Sequence, residues 1–513
     1  MPDMIESFSE SWTKNVQRLL LVGPHVAGAT PYVGRACVYN ALKALLCRAF
    51  RRPKHEPQKE AWEVLGRFSE DIMRVGDWSI QFDELIDWIN DSPPRQKRAY
   101  FKALPTFLSI VWSSDWTMFT AFPKTEKLFC SEQHDSYLAL CETIVDRLIN
   151  GPHIMTHLIA GRLLRPASRQ LKDIWNYQCW IFYAAVSSEV LNKWFNENYV
   201  IGMFALMCDY SMYDSCHSDL SWDWIESCYR RWGLYDEDCR FASVMKAWRQ
   251  PRGRINGQGW SIAYEAYTMN ASGRDDTALA NAMINGNVMF LSLLHAYFQV
   301  PLTELTIEHV HWGQQNLRIS VCGDDSLVLL PITPDDVNCF QERTSFAISQ
   351  FGFDAGAQKM KVSDNPFDFV YLGMRPYPAD RWYFAKTIGR AIWKLGWRVD
   401  PQSGDQEAWM AGVMQQNSLT QRIVPILSDL SHHYMAYHGS RKITPVVTDV
   451  HRPWTVMEHT PDYTQQVILY IAEGYGLHVN EIHSAINYVR GIPVYPFVLD
   501  HPAITQICTK DEM

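Results

Sequence analysis

The sequence predicts an α+β fold, and three segments carry that expectation. LRISVCGDDSLVLL sets apolar β-formers on both sides of a glycine and two aspartates, the pattern of a hairpin with Gly323, Asp324 and Asp325 at its tip. VIGMFALMCDYSMYDSC carries a short apolar run from Val200 to Cys208 that suits a core strand ending at Asp209. The stretch after Ser272 and Gly273 is long and apolar and reads as a helix beginning near Asp275 or Asp276. With 513 residues, 47% hydrophobic and 13% aromatic, the chain has material for several contiguous cores.

Taken in chain order, these elements place chemistry at their ends. A strand that stops at Asp209 exposes that carboxylate, and Asp214 follows five residues later. SDLSWDWIESCYRRW then has helical spacing at Leu220, Trp224, Ile225 and Tyr229. Gly273 permits a tight turn, after which Thr277 and Asn281, four apart, project from one helix face. An Asn amide beside Asp214 can hydrogen-bond a ribose 2′-hydroxyl, the group that separates RNA from DNA. Adjacent carboxylates repel unless a cation lies between them, and Mg²⁺, with its oxygen ligands, is the natural one. If Asp209 meets Asp324 and Asp325, three carboxylates can hold two cations for phosphoryl transfer. Each segment alone has a plainer reading: a surface turn, a strand-end or capping acid, a polar helix face.

In order and spacing, DYSMYD, SGRDDTALAN and VCGDD resemble motifs A, B and C of viral RNA-dependent RNA polymerases, in the form found in positive-strand viruses of the tombusvirus, nodavirus and flavivirus-like groups. The resemblance implies a right-hand polymerase with fingers, a palm of antiparallel sheet plus helices, and a helical thumb. Its implied boundaries are 1–199 for the N-terminal region and fingers, 200–378 for the palm with a fingers insertion at about 241–270, and 379–513 for the thumb and C-terminal region. It implies catalytic and Mg²⁺-binding roles for Asp209, Asp324 and Asp325, with Mn²⁺ as a substitute, and nucleotide positioning by Asp214, Ser272, Gly273, Thr277 and Asn281. The lysine-rich loop after Gly352 resembles motif D and offers Lys359, or Lys361, to protonate pyrophosphate. FDFVYLGMRPYP resembles motif E, centred on Tyr371, Leu372 and Gly373.

GRLLRPASRQLKDIW resembles motif F, which implies Arg162 and Arg165 at the triphosphate, with Lys124 and Lys127 as an outlying half. A helix through YFAKTIGRAIWKLGWRVD would align Lys386, Arg390, Lys394 and Arg398 as an RNA-tracking ridge, although Gly389 and Gly396 count against that helix. Arg249, Arg252 and Arg254 are further phosphate candidates. The implied partners are an RNA template and product, ribonucleoside triphosphates, viral or host replication proteins, and a membrane surface met peripherally. The implied location is the host cytoplasm, including membrane-bound replication sites. The rivals are a reverse transcriptase, which lacks the Ser-Gly, Thr, Asn array, and a noncatalytic polymerase-like RNA-binding protein.

A net charge of −9 argues against nonspecific whole-surface nucleic-acid binding and requires any RNA path to be a locally basic channel. Twelve cysteines without CxxC or His/Cys spacing predict reduced thiols, no disulfides and no structural zinc. Met1 to Lys14 is polar and acidic, unlike a secretory leader, and no run reaches transmembrane length. The apolar segment from Leu19 reads as a core helix followed by loops, with a membrane surface as the alternative.

Overall fold

The computed structural model describes residues 16–28, 31–34, 37–124, 128–129, 145–356, 359–398, 406–439, 459–492 and 497–512. At its centre is a five-stranded sheet of β1 (Ile181–Tyr183), β2 (Phe204–Cys208), β3 (Arg318–Cys322), β4 (Asp325–Leu330) and β5 (Met360–Ser363), in the order β5-β2-β4-β3-β1. The predicted hairpin forms: β3 and β4 pair antiparallel with Cys322 opposite Asp325, so Gly323 and Asp324 alone make the turn. β2 runs antiparallel to β4 with Cys208 opposite Ser326, and β5 covers the other edge of β2 with Met360 opposite Cys208. β1 joins β3 in parallel.

Period-two alternation gives the sheet two buried faces. Leu206, Cys208, Val328 and Leu330 point into the largest core, while Ala205, Met207, Leu327 and Leu329 point into a smaller one. The helices include α1 (Lys59–Met73), α2 (Ile154–Ile174), α3 (Ser188–Asn198), α4 (Asp219–Arg231), α5 (Thr277–Phe298), α6 (Val337–Gln350), α7 (Ile388–Leu395) and α8 (Pro502–Glu512). α5 lies in the large core, and α3 closes the other face through Leu191, Trp194 and Phe195. α5 starts where the sequence places it. Apolar on all sides, it is long enough to cross a membrane, yet it is almost wholly buried within the protein. The β2 strand is shorter than expected, because Val200 and Ile201 are exposed and Gly202 turns with positive φ before Phe204.

A second sheet joins distant parts of the chain in the order Trp260–Glu265, Arg252–Gly257, Met118–Pro123, Leu148–Gly151. Strands from the 241–270 insertion therefore continue a sheet begun before residue 152. A third core holds the C-terminal region, and Val22 and Val26 are buried in it with Ile388, Ile392, Leu427, Ile471 and Ile504.

Two expectations are corrected. The segment from Leu19 begins as short strands and reaches its buried helix only at Val38–Ala44, the reverse of the expected order: Leu20–Leu21 pairs with Trp397–Arg398, and His25–Val26 pairs with Val498–Leu499. The four-cation ridge also breaks up. Lys386 ends the Trp382–Lys386 strand, which pairs with Met374–Pro378, and Arg398 is buried in a strand, so only Arg390 and Lys394 ride on α7. Gly389 serves this packing, because a Cβ there would collide with the Ile507 carbonyl on α8.

Candidate active site

The register of β2 against β4 brings Asp209 to the same sheet edge as the Gly323–Asp324 turn. Gly323 supplies the positive φ, +64°, that this turn needs. Burial and then the neighbouring charges of Asp324 and Asp209 push Asp325 up to about 7. Burial raises Asp324 as well, and the charge of Asp209 adds to it. These shifts record carboxylates that repel one another in a partly dry site. Asp209 itself is 63% exposed and accepts a hydrogen bond from Lys359 Nζ at 3.1 Å.

Between Asp209 and Asp214 the chain is pinned by two buried tyrosines. Tyr210 donates to Asn285 Oδ1 at 3.1 Å, and Tyr213 stacks on Phe353 and donates to the Asn281 carbonyl at 3.3 Å. That anchoring delivers Asp214 to α5, where Asn281 Nδ2 donates to Asp214 Oδ1 at 2.9 Å. The other end of the amide accepts from Asn270 Nδ2 at 2.6 Å and faces His217 Nε2 at 3.2 Å. Burial brings His217 down to about 3, so it is neutral and donates through Nε2–H. Burial lifts Asp214 to about 6, against the pull of Asn281.

Ser272, Gly273 and Thr277 surround the start of α5. The Ser272 carbonyl accepts from Asn150 N at 2.7 Å. Gly273 has φ +112°, and a Cβ would stand 2.7 Å from the Asn150 carbonyl, so the position excludes a side chain twice over. Beneath it, Arg274 and Asp276 form a fully buried ion pair at 2.6 Å, with Arg274 lying over Trp222 and Trp248. Thr277 Oγ1 is buried with no hydrogen-bond partner among the described residues.

The cations are distributed differently from the expectation. Lys359 stands at Asp209, whereas Lys361, two residues along β5, bonds Asp368 at 2.9 Å. Arg162 pairs with Glu237 and Asp238 at 3.1 and 3.2 Å, and Arg165 pairs with Asp83 and Asp91 at 2.7 and 3.3 Å. The charge of Arg147 favours the ionised form of Asp214, Asp324 and Asp325 alike. Arg390 also acts on Asp325, from α7. Lys386 bonds Asn417 at 3.1 Å, and burial brings it down to about 8, so it is not part of an exposed RNA track. Arg249 is tied to Asp219 and Asp223, and Arg252 to Glu265. Lys127 lies outside the described residues.

Two residues of the site escape a reading by motif. Arg147 is an isolated arginine with no spacing signal. Asn285, one turn beyond Asn281, was legible as an amide inside an apolar helix. It donates to the carbonyls of Gly323 and Asp325 at 3.0 and 3.3 Å and accepts from Tyr210 and Ser326, clamping the hairpin turn to α5.

The donor set suits a hard divalent cation, since the converging groups are carboxylates that burial and mutual repulsion leave short of positive charge. Among the described residues no three acidic, His or Cys side chains already stand grouped around one point. Asp209 instead holds the Lys359 ammonium. Such an exposed pair is worth under about 1 kcal/mol. Compared with known proteins, the chain matches no family model and no curated protein.

Proposed function

We propose that this chain is an RNA-directed RNA polymerase that adds ribonucleotides to a growing strand under the direction of an RNA template. The observation that carries this reading is a single one: Asp209 shares a sheet edge with Asp324 and Asp325 while Asp214, five residues on, bonds Asn281. The first arrangement suits phosphoryl transfer, and the second reads a ribose. In this reading Asp209 and Asp324, with Asp325 assisting, would hold Mg²⁺ or Mn²⁺, which would supply the positive charge that phosphoryl transfer needs.

The protein's own groups do the rest. The 3′-hydroxyl oxygen bonds to the α-phosphorus as the bond to the β-phosphate oxygen breaks, and pyrophosphate leaves. Lys359, once released from Asp209, carries a proton beside that leaving group. Arg147, whose charge acts on the same carboxylates, neutralises the triphosphate in this reading, the role first expected of Arg162 and Arg165. Asn281, oriented by Asn270 and His217, meets the ribose together with Asp214 and Thr277. Template sequence is read by base pairing. RNA and ribonucleoside triphosphates are thus the partners, and the host cytoplasm is the setting that supplies them.

The test is incorporation of labelled ribonucleotides by the purified full chain on short RNA templates with Mg²⁺, beside Asp324→Ala. Synthesis by the wild type alone supports the reading. Equal use of deoxynucleotides would return it to a reverse transcriptase, and RNA binding without synthesis under Mg²⁺ or Mn²⁺ would sink it.

A further inference from the structure

α7 is poorly made to start by itself. It is eight residues long, Gly389 lies in its first turn, and Thr387 before it makes no side-chain cap. Its cap comes from elsewhere: the Gly389 N–H donates to Asp511 Oδ2 at 2.7 Å, from α8, 122 residues further along the chain. A carboxylate there meets an N–H that has no partner within the helix, together with the positive end of the helix dipole.

The Asp511 side chain is almost fully buried, and among the described residues the groups that reach its carboxylate are all donors. Arg375 Nη2 donates to Oδ1 at 3.3 Å, and the Tyr475 hydroxyl donates to Oδ2 at 2.8 Å. Arg375 is itself satisfied by the Phe367 carbonyl at 2.6 Å and the Tyr475 hydroxyl oxygen at 2.8 Å. One carboxylate thus ties together the strand Met374–Pro378, the helix Gln465–Tyr475 and the start of α7. The residue after Gly389 is Arg390, which is exposed and whose charge acts on Asp325. Its guanidinium stands beside the turn that precedes Met374, where a Cβ on Gly373 would lie 3.9 Å from Arg390 Nη1. The Gly373 carbonyl also accepts from Thr387 N at 3.3 Å, which joins that turn to the entry of α7.

We infer that Asp511 is a positioning residue: by capping α7 from α8 it fixes the first turn of that helix and holds the Arg390 guanidinium beside the Gly373 turn, to take a phosphate of the growing RNA strand. The role is indirect. A guanidinium on a long side chain is placed by the helix that carries it, and a small shift of that helix takes its planar fork off a phosphate. The strand contact rests on the polymerase reading, whereas the cap rests on the geometry alone.

The experiment compares the full chain with Asp511→Asn. An amide has nearly the shape of the carboxylate, so α8 keeps its packing, yet its NH2 must point at a donor, Arg375 on one side or Gly389 and Tyr475 on the other. Addition of one ribonucleotide to a primer–template RNA with Mg²⁺ is read beside hydrogen exchange in α7 and α5. Asp511→Asn speeds exchange in α7 severalfold with α5 unchanged, and raises KM for the RNA about tenfold while kcat moves less than about threefold. Arg390→Ala raises the same KM about tenfold, and the double variant no further than the larger single effect, because both remove one interaction. In unaltered protein the Gly389 amide exchanges slowly, as an amide left to water does not. Rapid exchange there, additive effects on KM, or a fall in kcat with KM unmoved would overturn the assignment. Wild-type protein that adds no nucleotide would sink the polymerase reading and the strand contact with it; α7 exchange then decides the cap alone, upheld if Asp511→Asn speeds it and overturned if it does not.

Discussion

Asn281 is held from three sides, donating to Asp214 and accepting from Asn270 and His217, so its amide presents one fixed pattern to a sugar. Replacing Asn281 with Ala should lower the preference for ribonucleotides over deoxynucleotides by roughly 10- to 100-fold, the usual worth of a lost buried hydrogen bond or two. The kcat/KM ratio for the two substrates measures it, and an unchanged ratio would remove Asn281 from sugar selection. Lys359 makes a two-sided prediction. Lys359→Ala should slow turnover by about 10²-fold through loss of the proton donor, yet tighten Mg²⁺ binding, because the ammonium competes for Asp209. Loss of both turnover and metal affinity would mean that the lysine only supports the fold. Asp325 fixes a pH dependence. Its carboxyl moves from 3.8 to about 7 on folding, so the folded state holds the proton more tightly. That contribution is complete below the unfolded value and is lost as pH rises through about 7. The metal-free protein should therefore lose stability from this group between pH 4 and 7, and the rise in Tm on adding Mg²⁺ should be larger at pH 8 than at pH 5.5. Asp325→Asn should flatten that difference, and a pH-independent Mg²⁺ effect would contradict it.

At the scale of elements, two glycines are asked for different things. Gly323 needs only a positive φ, and a Cβ would meet nothing within 4 Å. Gly273 needs its φ and its empty space against the Asn150 carbonyl. Gly323→Ala should cost about 1 kcal/mol, and Gly273→Ala about 3 kcal/mol or more, read as unfolding midpoints in denaturant. Equal losses would show that the α5 entry can shift to accept a side chain. The hairpin and α5 were legible in sequence because each carries its own signal, alternation in one and a long, mostly apolar stretch in the other. The cationic ridge misled because spacing of four residues is indifferent to context. Lys386 has helical spacing from Arg390, but WYFAK pairs with the strand before it and buries Tyr383 and Phe384. Arg162 and Arg165 misled for a related reason. The acids that occupy them, Asp83 and Asp238 among them, lie more than seventy residues away in sequence and leave no local trace.

At the scale of the whole molecule, the chain closes on itself. Residues 20–26 supply two strand pairings and two buried valines to the C-terminal core. Removing residues 1–28 should therefore make the region after residue 397 sensitive to limited proteolysis, and an undisturbed cleavage pattern would contradict that packing. Pairings two residues long between distant segments have no sequence signature, which is why this closure was not readable and the hairpin at Gly323 and Asp324 was. In a chain of net charge −9, three cations act at the carboxylates: Lys359 bonds Asp209, and the charges of Arg147 and Arg390 act on Asp325. The central claim is template direction, and the sharpest measurement is single-nucleotide addition on four RNA templates that differ at one base. Wild-type protein should add only the complementary ribonucleotide to each, and Asp209→Asn none. Addition that ignores the template base, or no addition to any of the four, would contradict the account.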